Sequence, residues 1–134
     1  MDKADIKSMT LEELGRAFQA QGLPGYRAKQ VFHWVHRGVE SFEEMTDLSR
    51  ELRGRLGEDY RIPSVKAVDK RVSRDGTVKY LFQLGDGELV ESVLMHYHHG
   101  YSICISTQVG CKMNCSFCAT GRSGFSRNLL PSEI

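Results

Sequence analysis

Residues 106–121 read Ser106-Thr107-Gln108-Val109-Gly110-Cys111-Lys112-Met113-Asn114-Cys115-Ser116-Phe117-Cys118-Ala119-Thr120-Gly121, and this stretch governs how the rest of the chain is understood. Cys111, Cys115 and Cys118 are separated by three and then two residues. In a compact loop that spacing turns three sulfurs toward one point, while Gly110 and Gly121 allow tight backbone at its two ends. Thiolates are ligands for zinc and for iron–sulfur clusters. Zinc takes four Cys or His ligands, normally in two spaced pairs, so here a fourth would come from Cys104, His96, His98 or His99. An iron–sulfur cluster held by three thiolates has one iron open to another ligand.

Working outward, the whole chain has 134 residues, enough for one ordinary domain or two small ones and too few for a large catalytic barrel. A formal net charge of +1 gives no overall push toward nucleic acid or membrane, so any RNA contact comes from local patches. There is no apolar leader, and no window reaches the roughly 20 apolar residues that span a bilayer. The expectation is a soluble, cytoplasmic protein. Four cysteines, three of them crowded together, read as reduced thiols rather than a disulfide scaffold.

Upstream, Thr10-Leu11-Glu12-Glu13 is a capping box, and Leu11, Leu14 and Phe18 form the apolar stripe of a first helix running to about Gln21. Gly22, Pro24 and Gly25 break it. Ala28, Val31, Phe32 and Val35 then repeat at helical spacing until Gly38 offers a left-handed cap. Lys29, His33, His36 and Arg37 fall away from that stripe, as a solvated face or a basic ridge suited to phosphates. Ser41-Phe42-Glu43-Glu44 repeats the capping-box pattern, and Leu48, Leu52 and Leu56 continue an apolar seam in a last helix ending near Gly57.

Pro63 marks a change to strand periodicity. Val65–Val72, Val78–Leu84 and Leu89–Met95 are β-rich runs, and Arg74-Asp75-Gly76 and Gly85-Asp86-Gly87 between them are hairpin turns, giving a three-stranded meander. On the third run Leu89, Glu91, Val93 and Met95 share a face, which surrounds a carboxylate with apolar neighbours. Burial of that kind makes Glu91 a candidate general acid or base; a paired structural glutamate, or an edge-strand residue facing water, is the commoner use of such a residue. His96-Tyr97-His98-His99 reads as an exposed loop. Tyr101–Ser106 is a short strand with Cys104 on its small, polar face, its thiol looking toward whatever the cysteine loop binds. Pro131-Ser132-Glu133-Ile134 resembles the first turn of a helix, so the sequence reads as the front part of something longer.

The spacing Cys111-x3-Cys115-x2-Cys118, with Phe117 before the last cysteine, resembles the hallmark of radical S-adenosylmethionine enzymes. Tyr26–Trp34, Phe42–Leu48, Val90-Glu91-Ser92-Val93 and Cys104–Leu129 together are similar to the RlmN/Cfr family of RNA methyltransferases, over nearly the whole chain from about Leu11. The resemblance implies an α+β chain in three parts. Residues 1–60 would be a helical RNA-binding accessory domain of helix-hairpin-helix type, 61–100 a β-meander, and 101–134 the first strand and cluster loop of a β/α radical SAM barrel not completed within this chain. It implies a 4Fe-4S cluster on Cys111, Cys115 and Cys118, with S-adenosyl-L-methionine on the open iron. It further implies methylation of C2 of adenosine in 23S rRNA and tRNA, or of C8 in the Cfr type. Glu91 would carry the proton at the adenine, and Cys104 would form a transient disulfide that releases the product.

The same resemblance implies an electron donor such as flavodoxin or ferredoxin, no membrane partner, and a monomer. It raises the standing of Lys29, His33 and Arg37 as RNA contacts. The methyl-carrying cysteine of the family has no counterpart, since all four cysteines are already assigned, so the expectation is that these 134 residues alone do not turn over. Two other readings stand beside the enzyme: a non-catalytic RNA-binding module and a zinc-stabilised module.

Overall fold

The structure, a computed structural model, describes residues 2–122 and 124–134. It divides into two compact units, one ending at Pro63 and one running from Ser64 to Ile134.

In the first unit, β1 (Ala4–Asp5) pairs in parallel with β2 (Tyr60–Arg61), and between them lie α1 (Leu11–Ala20), α2 (Gly25–His36) and α3 (Arg50–Asp59). The expected capping box at α1 is present: the Glu13 amide donates to Thr10 Oγ1 at 3.2 Å and the Thr10 amide donates to Glu13 Oε2 at 2.7 Å. The Thr10 amide, and after it the Thr10 hydroxyl, hold the Glu13 carboxyl below the usual glutamate range. Leu14 and Phe18 of α1 bury against Val31 and Val35 of α2 and Leu52 and Leu56 of α3. Gly38 has φ +88 and ends α2 in the left-handed region. The Ser41 box caps a single 3-10 turn, Phe42–Glu44, rather than the last helix, which starts at Arg50 on its own cap, Ser49. A contact with α2 accompanies the break: Asp47 turns to accept hydrogen bonds from Trp34 Nε1 at 2.6 Å and Gln30 Nε2 at 3.3 Å. α3 ends at Asp59, two residues past Gly57.

In the second unit β3 (Lys66–Val72), β4 (Val78–Gln83), β5 (Leu89–Tyr97) and β6 (Gly100–Cys104) form one antiparallel sheet in chain order. The meander therefore has four strands, not three, because the His98-His99 turn folds β6 back onto β5. Gly76 (φ +87) and Gly87 (φ +89) sit in the two Asp-Gly turns as their sequence requires. β7 (Gln108–Gly110) pairs with β8 (Phe125–Asn128), and the short helix α4 (Ala119–Arg122) lies between them. A small core of Leu84, Val90, Val109 and Leu129 joins this pair to the sheet. The mixed helical and antiparallel composition is the α+β class expected. Among the described residues no helix is long and apolar enough to cross a membrane.

Candidate active site

Register decides which side chains meet on the sheet. Val93 lies opposite Lys79 on one side and Cys104 on the other, and Glu91 lies opposite Leu81. Directly opposed residues share a face, as do residues two apart, so Lys79, Leu81, Glu91, Val93 and Cys104 all project from the same side. Lys79 stands diagonally across from Glu91, and its Nζ lies 3.0 Å from Glu91 Oε2. The expected burial of Glu91 is not what the structure shows. Its side chain is 54% exposed, and its neighbour Leu89 is exposed too. A charge partner on the next strand, rather than an apolar cage, defines its surroundings.

Leu81, Glu91, Val93 and Cys104 of this face line a cavity of about 980 Å³ that is also lined by Gly110, Ala119 and Phe125. The cavity therefore joins the two candidate reacting groups, Glu91 and Cys104, to both ends of the cysteine loop. Ser106 Oγ donates to the Glu91 carbonyl at 2.7 Å, and the Leu129 amide donates to the Thr107 carbonyl at 2.9 Å, fixing the strand that leads into the loop.

The loop is held at its ends. Gly110 has φ +75, and a Cβ there would lie 1.7 Å from the Gly124 carbonyl oxygen, so the two backbones approach as only glycine permits. The Cys111 amide donates to that same oxygen at 2.9 Å. At the other end a Cβ on Gly121 would meet the Cys115 nitrogen at 3.0 Å. Inside, the Cys118 amide donates to the Cys115 carbonyl at 3.2 Å, and Asn114 takes φ +48 to turn the chain.

The expected convergence of three sulfurs is not reached: among the described residues no three His, Cys, Asp or Glu side chains stand close enough to hold a metal ion. The reason is local. None of residues 111–118 is buried, Met113 and Phe117 are 76% and 90% exposed, and no packed side chain draws the thiols together. The donor set itself fits an iron–sulfur cluster, since Cys111, Cys115 and Cys118 are all free thiols carried on one loop with pinned ends. Cys104 is free and exposed as well.

Sequence reading missed a clamp behind the loop. Arg127 on β8 donates to both carboxylate oxygens of Glu133 at 2.8 Å and, through Nε, to Asp86 Oδ2 at 2.8 Å. Asp86 belongs to the β4–β5 turn, which its Gly-Asp-Gly signature identified only as a turn. The guanidinium holds the Asp86 and Glu133 carboxyls below their usual range, and they in turn raise the Arg127 value. Lys79 was missed too, although its alternation with Tyr80 and Leu81 places it on a sheet face; only the register reveals which carboxylate it meets. Lys29, His33 and His36 are exposed on α2, away from its apolar stripe, and Arg37 is exposed at its C-cap, with the Arg37 guanidinium over the Trp34 ring at 5.4 Å.

Residues 4–62 match the family model described as the ribosomal RNA large subunit methyltransferase N-terminal domain. The chain is 52% identical, across 99% of its length, to the probable dual-specificity RNA methyltransferase RlmN of Lachnoclostridium phytofermentans. It is 50% identical, across its whole length, to the protein of that name from Alkaliphilus metalliredigens. It spans 38% of the length of each. Among solved structures it resembles a radical SAM methyltransferase from Sphaerobacter thermophilus, with TM-score 0.82 and 40% identity over 94% of this chain and 38% of that one.

Proposed function

Because this chain belongs to the RlmN family of RNA methyltransferases, we propose that the protein carrying it is a radical S-adenosylmethionine enzyme that methylates adenine, at C2, in 23S rRNA and tRNA. One observation carries the reading: Glu91 and Cys104 line the same cavity as the two ends of the three-cysteine loop. Cys111, Cys115 and Cys118 would hold a 4Fe-4S cluster, which when loaded supplies the open iron for S-adenosylmethionine and the electron that cleaves it.

The chain's own residues contribute part of what that reaction needs. Glu91 presents a carboxylate at the cavity wall to move the proton at the adenine carbon, and the Lys79 ammonium fixes that carboxylate in place. Cys104 offers an exposed thiol on the same face, which would form a disulfide with the methyl-carrying cysteine of the full-length protein as the carbon–sulfur bond to the product breaks and its electron pair stays with the product carbon. The sheet behind them supplies rigidity, and the Gly110–Gly124 contact sets where the loop enters. In the first unit, exposed Lys29 and His33 on α2 and Arg37 at its C-cap supply phosphate contacts to the RNA. A flavodoxin- or ferredoxin-class donor, a monomeric state and a cytoplasmic setting complete the reading.

The test is anaerobic iron–sulfide reconstitution of the protein at the full length of its relatives. A broad brown absorbance whose EPR signal shifts on adding S-adenosylmethionine is expected, lost in Cys115→Ala and kept in Cys104→Ala. Stoichiometric zinc with no such signal would replace the enzyme by a zinc-stabilised module.

A further inference from the structure

The sheet face that carries Glu91 and Cys104 does not stop at the cavity. Along β5 it continues through Val93 and Met95 to Tyr97 at the β5–β6 hairpin. There the Tyr97 ring stacks on His99, with centroids 5.2 Å apart and planes 15° from parallel, and His98 meets His99 edge-on. Both rings are fixed from the reacting face. Tyr97 Oη donates to Met95 Sδ at 3.3 Å, and a His99 ring nitrogen lies 3.4 Å from Ser102 Oγ, on the residue directly opposite Met95. Tyr97 nonetheless remains 47% exposed.

We infer that Tyr97 and His99 form a stacking site for an unpaired RNA base that flanks the base positioned at Glu91. The inference rests on the RNA substrate proposed above and adds a subsite to it. Six residues of strand separate Glu91 from Tyr97, about 20 Å, too far for the reacting base and within reach of its neighbours along the strand. Exposed aromatic faces are what unpaired RNA bases stack on. The charge agrees with a polyanion: from Ser92 to Ser132 the sequence contains no Asp or Glu. The acid nearest this end of the sheet in register, Asp75 of the β3–β4 turn, follows Arg74 and already accepts from the Thr77 amide at 3.0 Å and from Ser73 Oγ. A metal site is the other use of clustered histidines, and among the described residues no three such groups could hold one.

The opposite face supplies a control. Tyr101, 73% exposed, pairs there with His96, and its ring is tilted 40° rather than stacked.

The experiment uses the full-length protein and a fluorescently labelled RNA stem–loop whose unpaired loop contains adenine, with binding read by anisotropy at one salt concentration. Tyr97→Ala is expected to weaken binding about tenfold, whereas Tyr97→Phe and Tyr101→Ala stay within about twofold. Making the flanking loop nucleotides abasic should cost the parent a similar factor of about ten and cost Tyr97→Ala nothing further. The inference is overturned if Tyr97→Ala binds like the parent, if Tyr97→Phe loses as much as Tyr97→Ala, if Tyr101→Ala weakens binding equally, or if the abasic penalty persists in Tyr97→Ala. A parent protein that binds no RNA at all overturns the substrate reading beneath it as well.

Discussion

Gly110→Ala tests whether the entry to the cysteine loop is built on a backbone contact. Two costs are separable. The first is conformational: φ at Gly110 is +75, where an L residue is disfavoured by about 1–2 kcal/mol. The second is steric. The new methyl carbon would lie 1.7 Å from the Gly124 carbonyl oxygen and 2.7 Å from its carbon, so that backbone must retreat by more than an ångström. Retreat breaks the Cys111-to-Gly124 hydrogen bond of 2.9 Å, contributing about 1 kcal/mol, and disturbs the Gly110–Phe125 pairing. The expected total is about 2–4 kcal/mol. Gly76→Ala is the calibration, since Gly76 shares a positive φ of +87 but has open space around it, and should cost only the conformational part. Urea unfolding followed by far-UV circular dichroism gives the stabilities, and hydrogen exchange reads the Cys111 amide. If Gly110→Ala costs no more than Gly76→Ala and the Cys111 amide stays protected, the close approach is not what holds the loop.

Lys79→Met should alter stability by under about 1 kcal/mol, as removal of a half-exposed ion pair does, yet lower turnover of the full-length enzyme about tenfold. Lys79→Arg should restore most of that turnover, and Lys79→Met should have no further effect in a Glu91→Gln background; additive losses in steady-state kinetics would separate the two residues. Asp86 and Glu133 have folded values below their unfolded ones, so their contribution is present at neutral pH and is lost as pH falls below about 4. A pH series of unfolding curves should show the second unit weakening there, and Arg127→Met should remove that acid sensitivity. Phe18→Ala should cost the first unit about 3–5 kcal/mol because Phe18 is fully buried, a change read by fluorescence of Trp34, the chain's single tryptophan.

Local signals survived the passage from sequence to structure, and pairings between distant residues did not. The Thr10 capping box, the Gly38 cap and the Asp-Gly turns at Gly76 and Gly87 each depend on a few adjacent residues, and each is where the sequence puts it. The Ser41 box has the right letters but caps one 3-10 turn, and Asp47 beyond it bonds to Trp34, thirteen residues earlier. Alternation correctly put Glu91, Val93 and Met95 on one face. It could not say what stands across from them, and Lys79 and solvent replaced the expected apolar cage. Arg127 and Asp86 lie 41 residues apart, and no local pattern links a strand arginine to a turn aspartate.

The cysteine loop shows the same division at the site itself. Spacing made its three thiols legible, and Gly110 and Gly121 were legible as its tight ends. What the residues do not encode is the convergence of Cys111, Cys115 and Cys118. Residues 111–118 include no buried side chain that would pack the three thiols against one another. Ends fixed by backbone contact with an exposed middle would let the proposed cluster supply the last part of the geometry, since ligation free energy and ordering of the loop would then be one process. On this view the fold contributes position rather than closure: β7 and β8 bring the loop to the rim of the cavity where Glu91 and Cys104 already stand.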